Sequence, residues 1–175
     1  MKYLENKKIN ISIIGLGYVG LPLAIELAKK NNVCGFDINE LRIKNLIQSN
    51  DVTLEVSAKS IKSSKIKFTS NSNNLKNTDI FILTIPTPVN INKIPDLSML
   101  KNATKIVAKY LKNKSIVVFE STVYPGCTEE VCVPILEKYS NLKLNKNFSI
   151  GYSPERINPG DKARSIRDIS KVVSA

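Results

Sequence analysis

The sequence contains no histidine and no tryptophan. Without histidine, the serine–histidine–aspartate and cysteine–histidine nucleophiles are excluded, and with them the usual histidine-based metal centres. Cysteine is nearly as scarce: Cys34, Cys127 and Cys132 are the whole set. Their number is odd, and four residues rather than two separate the last pair, so neither a disulfide framework nor a zinc site is expected. Long apolar runs are missing too, none approaching the ~20 residues that span a bilayer. Met1 to Lys8 is polar and lysine-bearing, and the apolar stretch after it is broken by Gly15, Gly17 and Gly20. A secretory signal would show an unbroken apolar core instead. The expectation is a cytoplasmic protein without a membrane partner.

What is present fits one globular domain over residues 1–175, with 42% hydrophobic and 23% charged residues. The formal charge of +11 raises the question of nucleic acid. The lysines are spread along the chain, however, and arginine, the usual base reader, occurs only four times. No RNP or helix-turn-helix pattern is present, so no nucleic-acid partner is expected. Lys, Asn and Ile together make up 63 residues, the bias of an AT-rich coding sequence. A diffuse positive field suits an anionic small molecule such as a dinucleotide or a nucleotide sugar.

Strand-like and helix-like runs alternate along the chain. Strands are predicted at Ile9 to Ile14, Val33 to Phe36, Ile66 to Thr69, Asp79 to Ile85, Ser115 to Phe119 and Phe148 to Tyr152, with Lys171 to Ser174 as the start of another. Helices are predicted at Gly17 to Lys30, at Asn39 to Gln48 with Leu41, Leu46 and Ile47 apolar, at Leu97 to Lys112 behind a capping Asp96, and at Thr128 to Tyr139. The stretches Ser57 to Ser64 and Ser70 to Asn77 are read as exposed connections or short helices. The strand at residue 79 is apolar without alternation, as in parallel sheets covered on both faces. This pattern predicts an α/β, Rossmann-type, doubly wound and mostly parallel six-stranded sheet in the order 3-2-1-4-5-6. Because the sequence stops inside a predicted strand, truncation is expected.

Gly15-Leu16-Gly17-Tyr18-Val19-Gly20 matches G-x-G-x-x-G directly after a strand and at the opening of a helix. Gly15 makes the tight turn, Gly17 lets backbone approach a pyrophosphate, and Gly20 lets helix pack on strand. The helix N-terminus then offers N–H groups to phosphate. Asp37 ends the second strand 22 residues after Gly15, where a carboxylate accepts from adenosine ribose hydroxyls and repels a 2′-phosphate. NAD is therefore favoured over NADP. Asp37 could alternatively be only a helix cap. Arg42, one turn into the next helix, could flank the adenosine end or be a solvated helix charge.

Three further segments fall at carboxyl ends of strands, where ligands of open α/β sheets bind. Thr84 to Pro88 carries two prolines and Thr87, a hydroxyl for the cofactor or a plain turn. Glu120 to Gly126 carries Thr122 for the nicotinamide end, or with Ser121 a helix cap. Gly151 to Gly160 carries Glu155 as a base or water orienter and Arg156 for an anionic group, or simply a loop ion pair.

Together GLGYVGLP, FDIN, IPTPVNINKIPDLS, ESTVYPGCTEE and YSPERINPGD, in this order, resemble the N-terminal NAD-binding domain of the UDP-glucose/GDP-mannose dehydrogenase family. SPERINPG looks most like the branch acting on UDP-N-acetylhexosamines, which includes the Vi-antigen-type and UDP-N-acetylmannosamine 6-dehydrogenases. UDP-glucose dehydrogenases carry a second Glu four positions after the Glu of this motif, where Pro159 stands here. The resemblance implies a two-step oxidation of a sugar C6 alcohol to the carboxylate by two NAD+, for surface polysaccharide synthesis. It proceeds through a thiohemiacetal and a thioester on a catalytic cysteine. It further implies that Tyr18, Val19, Asp37, Arg42, Thr87 and Thr122 contact NAD, that Glu155 serves in acid/base or water handling, and that Arg156 and Ile157 line the substrate site.

The family's catalytic cysteine, with its Lys and Asp or Asn partners, lies beyond this domain, as do the central helix that builds the homodimer and the nucleotide-sugar-binding domain. Cys127 and Cys132 occur at the wrong place, although a helix N-terminus can lower a thiol pKa. This chain alone is expected to bind NAD and not to turn over substrate. Competing readings are a free-standing NAD-binding module without catalysis, a UDP-glucose 6-dehydrogenase domain, and a basic nucleic-acid-binding protein on a Rossmann scaffold.

Overall fold

Side-chain alternation in the first strand explains how one sheet serves two cores. In β1 (Asn10–Ile14), Ile11 and Ile13 join one apolar cluster and Ile14 the other. The same alternation recurs in β4 (Ile80–Leu83), where Phe81 and Leu83 face one way and Ile82 the other. Strands with both faces buried need no polar alternation. The computed structural model describes residues 8–156 and 170–174.

With β2 (Asn32–Phe36), β3 (Lys67–Thr69), β5 (Ser115–Phe119) and β6 (Phe148–Tyr152), these strands form one parallel sheet in the order β3-β2-β1-β4-β5-β6. This is the predicted Rossmann order, with its reversal between β1 and β4. Helices α1 (Gly20–Leu27) and α2 (Glu40–Ile47), and the short α3 (Ala58–Ser63), cover one face through Leu21, Leu23, Ile43, Leu46 and Ile61. Helices α4 (Ser98–Ala108) and α5 (Val133–Ser140) cover the other through Leu100, Val107 and Leu136. Among the described residues, no helix is long and apolar enough to cross a membrane.

Several boundaries depart from the sequence pattern. In α2 the buried side is Arg42, Ile43 and Leu46, while Leu41 and Ile47 stand exposed. A charged side chain occupies a core-facing position there, so apolarity alone misplaces the stripe. The predicted helix from Thr128 begins as a π-helical turn, Thr128–Cys132, with Val133 N–H bonded to the Thr128 carbonyl. Pro134 has no N–H to offer the regular i→i−4 ladder, so the regular helix starts only around it. Helix α4 ends at Ala108, beyond which N–H groups bond three residues back, as at Tyr110 to Val107. Asp96 does receive the Ser98 N–H, at 2.8 Å. Residues 171–174 are not a further strand: Ser174 makes a single antiparallel bridge to Tyr152 at the sheet edge.

Candidate functional site

The three glycines of the fingerprint divide their work as the motif demands. Gly15 has φ +93° and donates its N–H to the Phe36 carbonyl at 2.8 Å, a conformation that side chains rarely adopt. A Cβ on Gly20 would sit 2.0 Å from the Gly15 carbonyl oxygen and 2.5 Å from the Thr84 hydroxyl. Helix α1 therefore rests against the loop with no room for a side chain. A Cβ on Gly17 would meet nothing within 4 Å. Its missing side chain serves nothing inside the protein and leaves open the space that a ligand backbone would fill.

The peptide of Leu16 between these glycines is held at both ends. Its N–H donates to Asp37 Oδ2 at 2.8 Å, and its carbonyl accepts from Arg42 Nε at 2.8 Å. The Leu16 side chain is fully buried beneath. Asp37 also takes the Asn39 N–H on Oδ1, while Asn39 itself caps α2 by accepting from Arg42 N–H. The cap of α2 is thus Asn39, not Asp37. Arg42 is not a solvated helix charge either. It is buried, and its Nη1 lies 2.7 Å from Asp51 Oδ1. Asp51 in turn gathers N–H groups of Thr53, Glu55 and Val56. Burial works to raise the Asp51 pKa, but the bonds from Thr53, Val56 and Arg42 outweigh it and hold the carboxyl below its ordinary range.

A cleft of about 580 Å³ opens at the carboxyl ends of β1, β2, β4 and β5. Gly15, Gly17, Tyr18, Val19 and Asp37 line one half, and Thr87, Thr122 and Glu155 the other. The structure thus brings eight of the predicted residues to one cavity, at the strand-order reversal where open α/β sheets bind ligands. Gly20 and Arg42 lie behind it, shaping the loop. Arg156 is exposed, donating its N–H to Glu155 Oε1 at 2.7 Å, and Ile157 lies outside the described residues. The Thr87 hydroxyl donates to the Thr122 carbonyl, tying the two strand exits together. Ser121 caps no helix; its hydroxyl accepts the Ile85 N–H at 3.2 Å.

A second hollow of about 620 Å³ lies at the opposite, amino ends of β1 and β2, among Lys8, Lys29 and Lys67. Its buried hydroxyls, Ser12 and Thr78, bond each other at 2.6 Å. The glycine loop and the acidic strand end make the first cleft the functional candidate.

Three residues that the motifs did not single out shape that cleft. Thr84 donates its hydroxyl to the Gly15 carbonyl at 2.7 Å and fixes the loop to β4. Glu120, buried at the end of β5, lies on the cleft wall. Lys171 reaches its Oε2 at 2.6 Å and Glu155 Oε2 at 3.6 Å. Among the described residues, Glu155 pairs with Lys171. Glu120 carries a local signal, its place at a strand exit in ESTV. Lys171 carries none, being distant in sequence from both partners.

The cysteines are structural. Cys127 and Cys132 are buried, and burial pushes both thiols up, Cys132 to about 12. A nucleophile needs the opposite shift. Among the described residues, no group of acids and cysteines is arranged to hold a metal ion.

The chain matches the NAD-binding domain model of the UDP-glucose/GDP-mannose dehydrogenase family over residues 9–174. It belongs to that family. It is 53% identical over 169 residues to the UDP-N-acetyl-D-glucosamine 6-dehydrogenase of Pseudomonas aeruginosa, covering 96% of this chain and 40% of that protein. Identity to the corresponding Salmonella typhi enzyme is 49%, covering 95% and 40%. Among solved structures, the NDP-N-acetyl-D-galactosaminuronic acid dehydrogenase of Methanosarcina mazei superposes with a TM-score of 0.86 at 32% identity, over 96% of this chain and 39% of that one. The chain thus spans about two fifths of the length of its relatives and is close to their UDP-N-acetylhexosamine branch.

Proposed function

We propose that this chain is the cofactor-binding part of an NAD-dependent 6-dehydrogenase that oxidises C6 of a UDP-N-acetylhexosamine to the uronic acid, for surface polysaccharide. The observation that carries the cofactor half of this reading is the open space over Gly17, framed by Asp37 and the N-terminus of α1. The pyrophosphate would lie over Gly17 and the helix N-terminus. Asp37 would meet the adenosine ribose, with Arg42 supporting the loop beneath. Tyr18 and Val19 would flank the dinucleotide, and Thr87 and Thr122 would face the nicotinamide end. When bound, NAD supplies the hydride acceptor. The substrate half rests on kinship, since relatives at 53% and 49% identity are UDP-N-acetyl-D-glucosamine 6-dehydrogenases. Glu155, on the cleft wall, would handle a proton or water near the sugar, and Arg156 and Ile157, next in sequence, would line the substrate site. The thiol nucleophile, the sugar-nucleotide site and the homodimer contact would belong to the rest of a full-length, cytoplasmic enzyme.

Calorimetric titration tests the reading. NAD+ should bind the 175-residue chain, NADP+ should bind much more weakly, and UDP-N-acetylhexosamine should yield no NADH. Absence of NAD+ binding, with tight and salt-sensitive binding of duplex DNA, would overturn it.

A further inference from the structure

The backbone ladder between β1 and β4 stops where the glycine turn begins. The strands pair in parallel up to Ile14 and Leu83, and one more rung follows, from the Thr84 N–H to the Ile14 carbonyl at 3.0 Å. Pro86, two positions on, has no N–H with which to continue. Side chains take over from there. The Thr84 hydroxyl donates to the Gly15 carbonyl at 2.7 Å, Asp37 receives the Leu16 N–H, and Arg42 donates to the Leu16 carbonyl. Asp37 and Arg42 hold the turn from the β2 side, and Thr84 supplies a hydroxyl bond from the β4 side.

Thr84 meets the fingerprint hexapeptide at both ends. The hydroxyl that bonds Gly15 at its start would lie 2.5 Å from a Cβ added to Gly20 at its end. Thr84 is itself buried, and the exit of β4 is tied to that of β5. The Ile85 N–H donates to the Ser121 hydroxyl at 3.2 Å, and the Thr87 hydroxyl to the Thr122 carbonyl. We propose that Thr84 is a positioning residue for the cofactor. Its hydroxyl fixes how far the glycine turn stands from β4, and so aims the N-terminus of α1 and the space over Gly17 at the pyrophosphate. This role rests on the cofactor reading above and adds to it a residue outside the fingerprint. Valine has nearly the outline of threonine but no hydroxyl to donate. A carbon also needs about 3.3 Å or more from a carbonyl oxygen, so the turn would have to yield by about 0.6 Å. Serine keeps the bond.

The test is calorimetric titration of NAD+ into the folded 175-residue chain, beside the amide NMR positions of Gly17 and Tyr18 without ligand. Thr84→Val should weaken NAD+ about tenfold and move both amides. Thr84→Ser should stay within about threefold of the parent affinity and leave the amides near their parent positions. Thr84→Ala removes the hydroxyl without the clash and should also lose affinity, so it decides alone if Thr84→Val does not fold. A threonine that only stabilises the fold would lower the urea midpoint of both hydroxyl-free variants and leave NAD+ affinity at the parent value. That result, or amides that do not move, would overturn the proposal. A parent chain that bound no NAD+ would defeat the cofactor reading instead, and the ligand-free amides would still decide whether Thr84 sets the turn.

Discussion

Arg42 Nε donates to the carbonyl of Leu16, 26 positions earlier, across 2.8 Å of buried space. A cation in the second helix thereby supports the peptide of the glycine loop from below. Asp51 completes the support, 2.7 Å from the same guanidinium. Asp51→Ala should destabilise the chain by about 3–5 kcal/mol, because it strands a buried charge. Denaturant melts should show this directly, and Asp51→Asn should fall between the two.

The same carboxyl makes a pH prediction. Its folded pKa lies below its ordinary value. Its contribution is therefore complete above the unfolded Asp value, about 3.9, and is lost as pH falls through the folded value. Thermal melts should decline below about pH 4, and Asp51→Asn should flatten that decline.

Gly17 and Gly20 should separate function from folding. Gly17→Ala places a methyl in open space, so stability should move by no more than about 0.5 kcal/mol. NAD+ affinity should nevertheless fall at least tenfold, about 1.4 kcal/mol. Gly20→Ala drives a methyl onto backbone and should cost about 3 kcal/mol or more in a urea melt. Equal losses of stability in the two variants would contradict this division.

Thiol chemistry offers another check. Burial raises Cys34, Cys127 and Cys132 alike, and the latter two are buried. Reaction with a disulfide reagent at neutral pH should be slow in the native chain, with the partly exposed Cys34 leading. All three should react at once in denaturant. Fast native labelling of Cys127 would restore it as a nucleophile.

Much of this was legible in sequence because it is local. The glycine spacing, the acid at the end of β2 and the six apolar runs give strand order and cleft position without coordinates. Leu41 and Ile47 misled because the α2 stripe admits Arg42, a charge whose partners at Leu16 and Asp51 no periodicity reveals. The π-turn at Thr128–Cys132 was written in Pro134, but only as a missing donor. Lys171 escaped altogether: its contacts with Glu120 and Glu155 exist only once residues 170–174 fold back along β6.

The bond from Leu16 N–H to Asp37 also constrains any attempt to change which coenzyme the protein prefers. Replacing Asp37 with a neutral or basic residue is the obvious route toward accepting a 2′-phosphate. Here that exchange would remove the acceptor that fixes the fingerprint turn, so selectivity and loop geometry would drift together. A successful redesign would have to graft in a replacement acceptor for Leu16 alongside the new phosphate contact. A lineage drifting from one coenzyme to the other would meet the same double requirement.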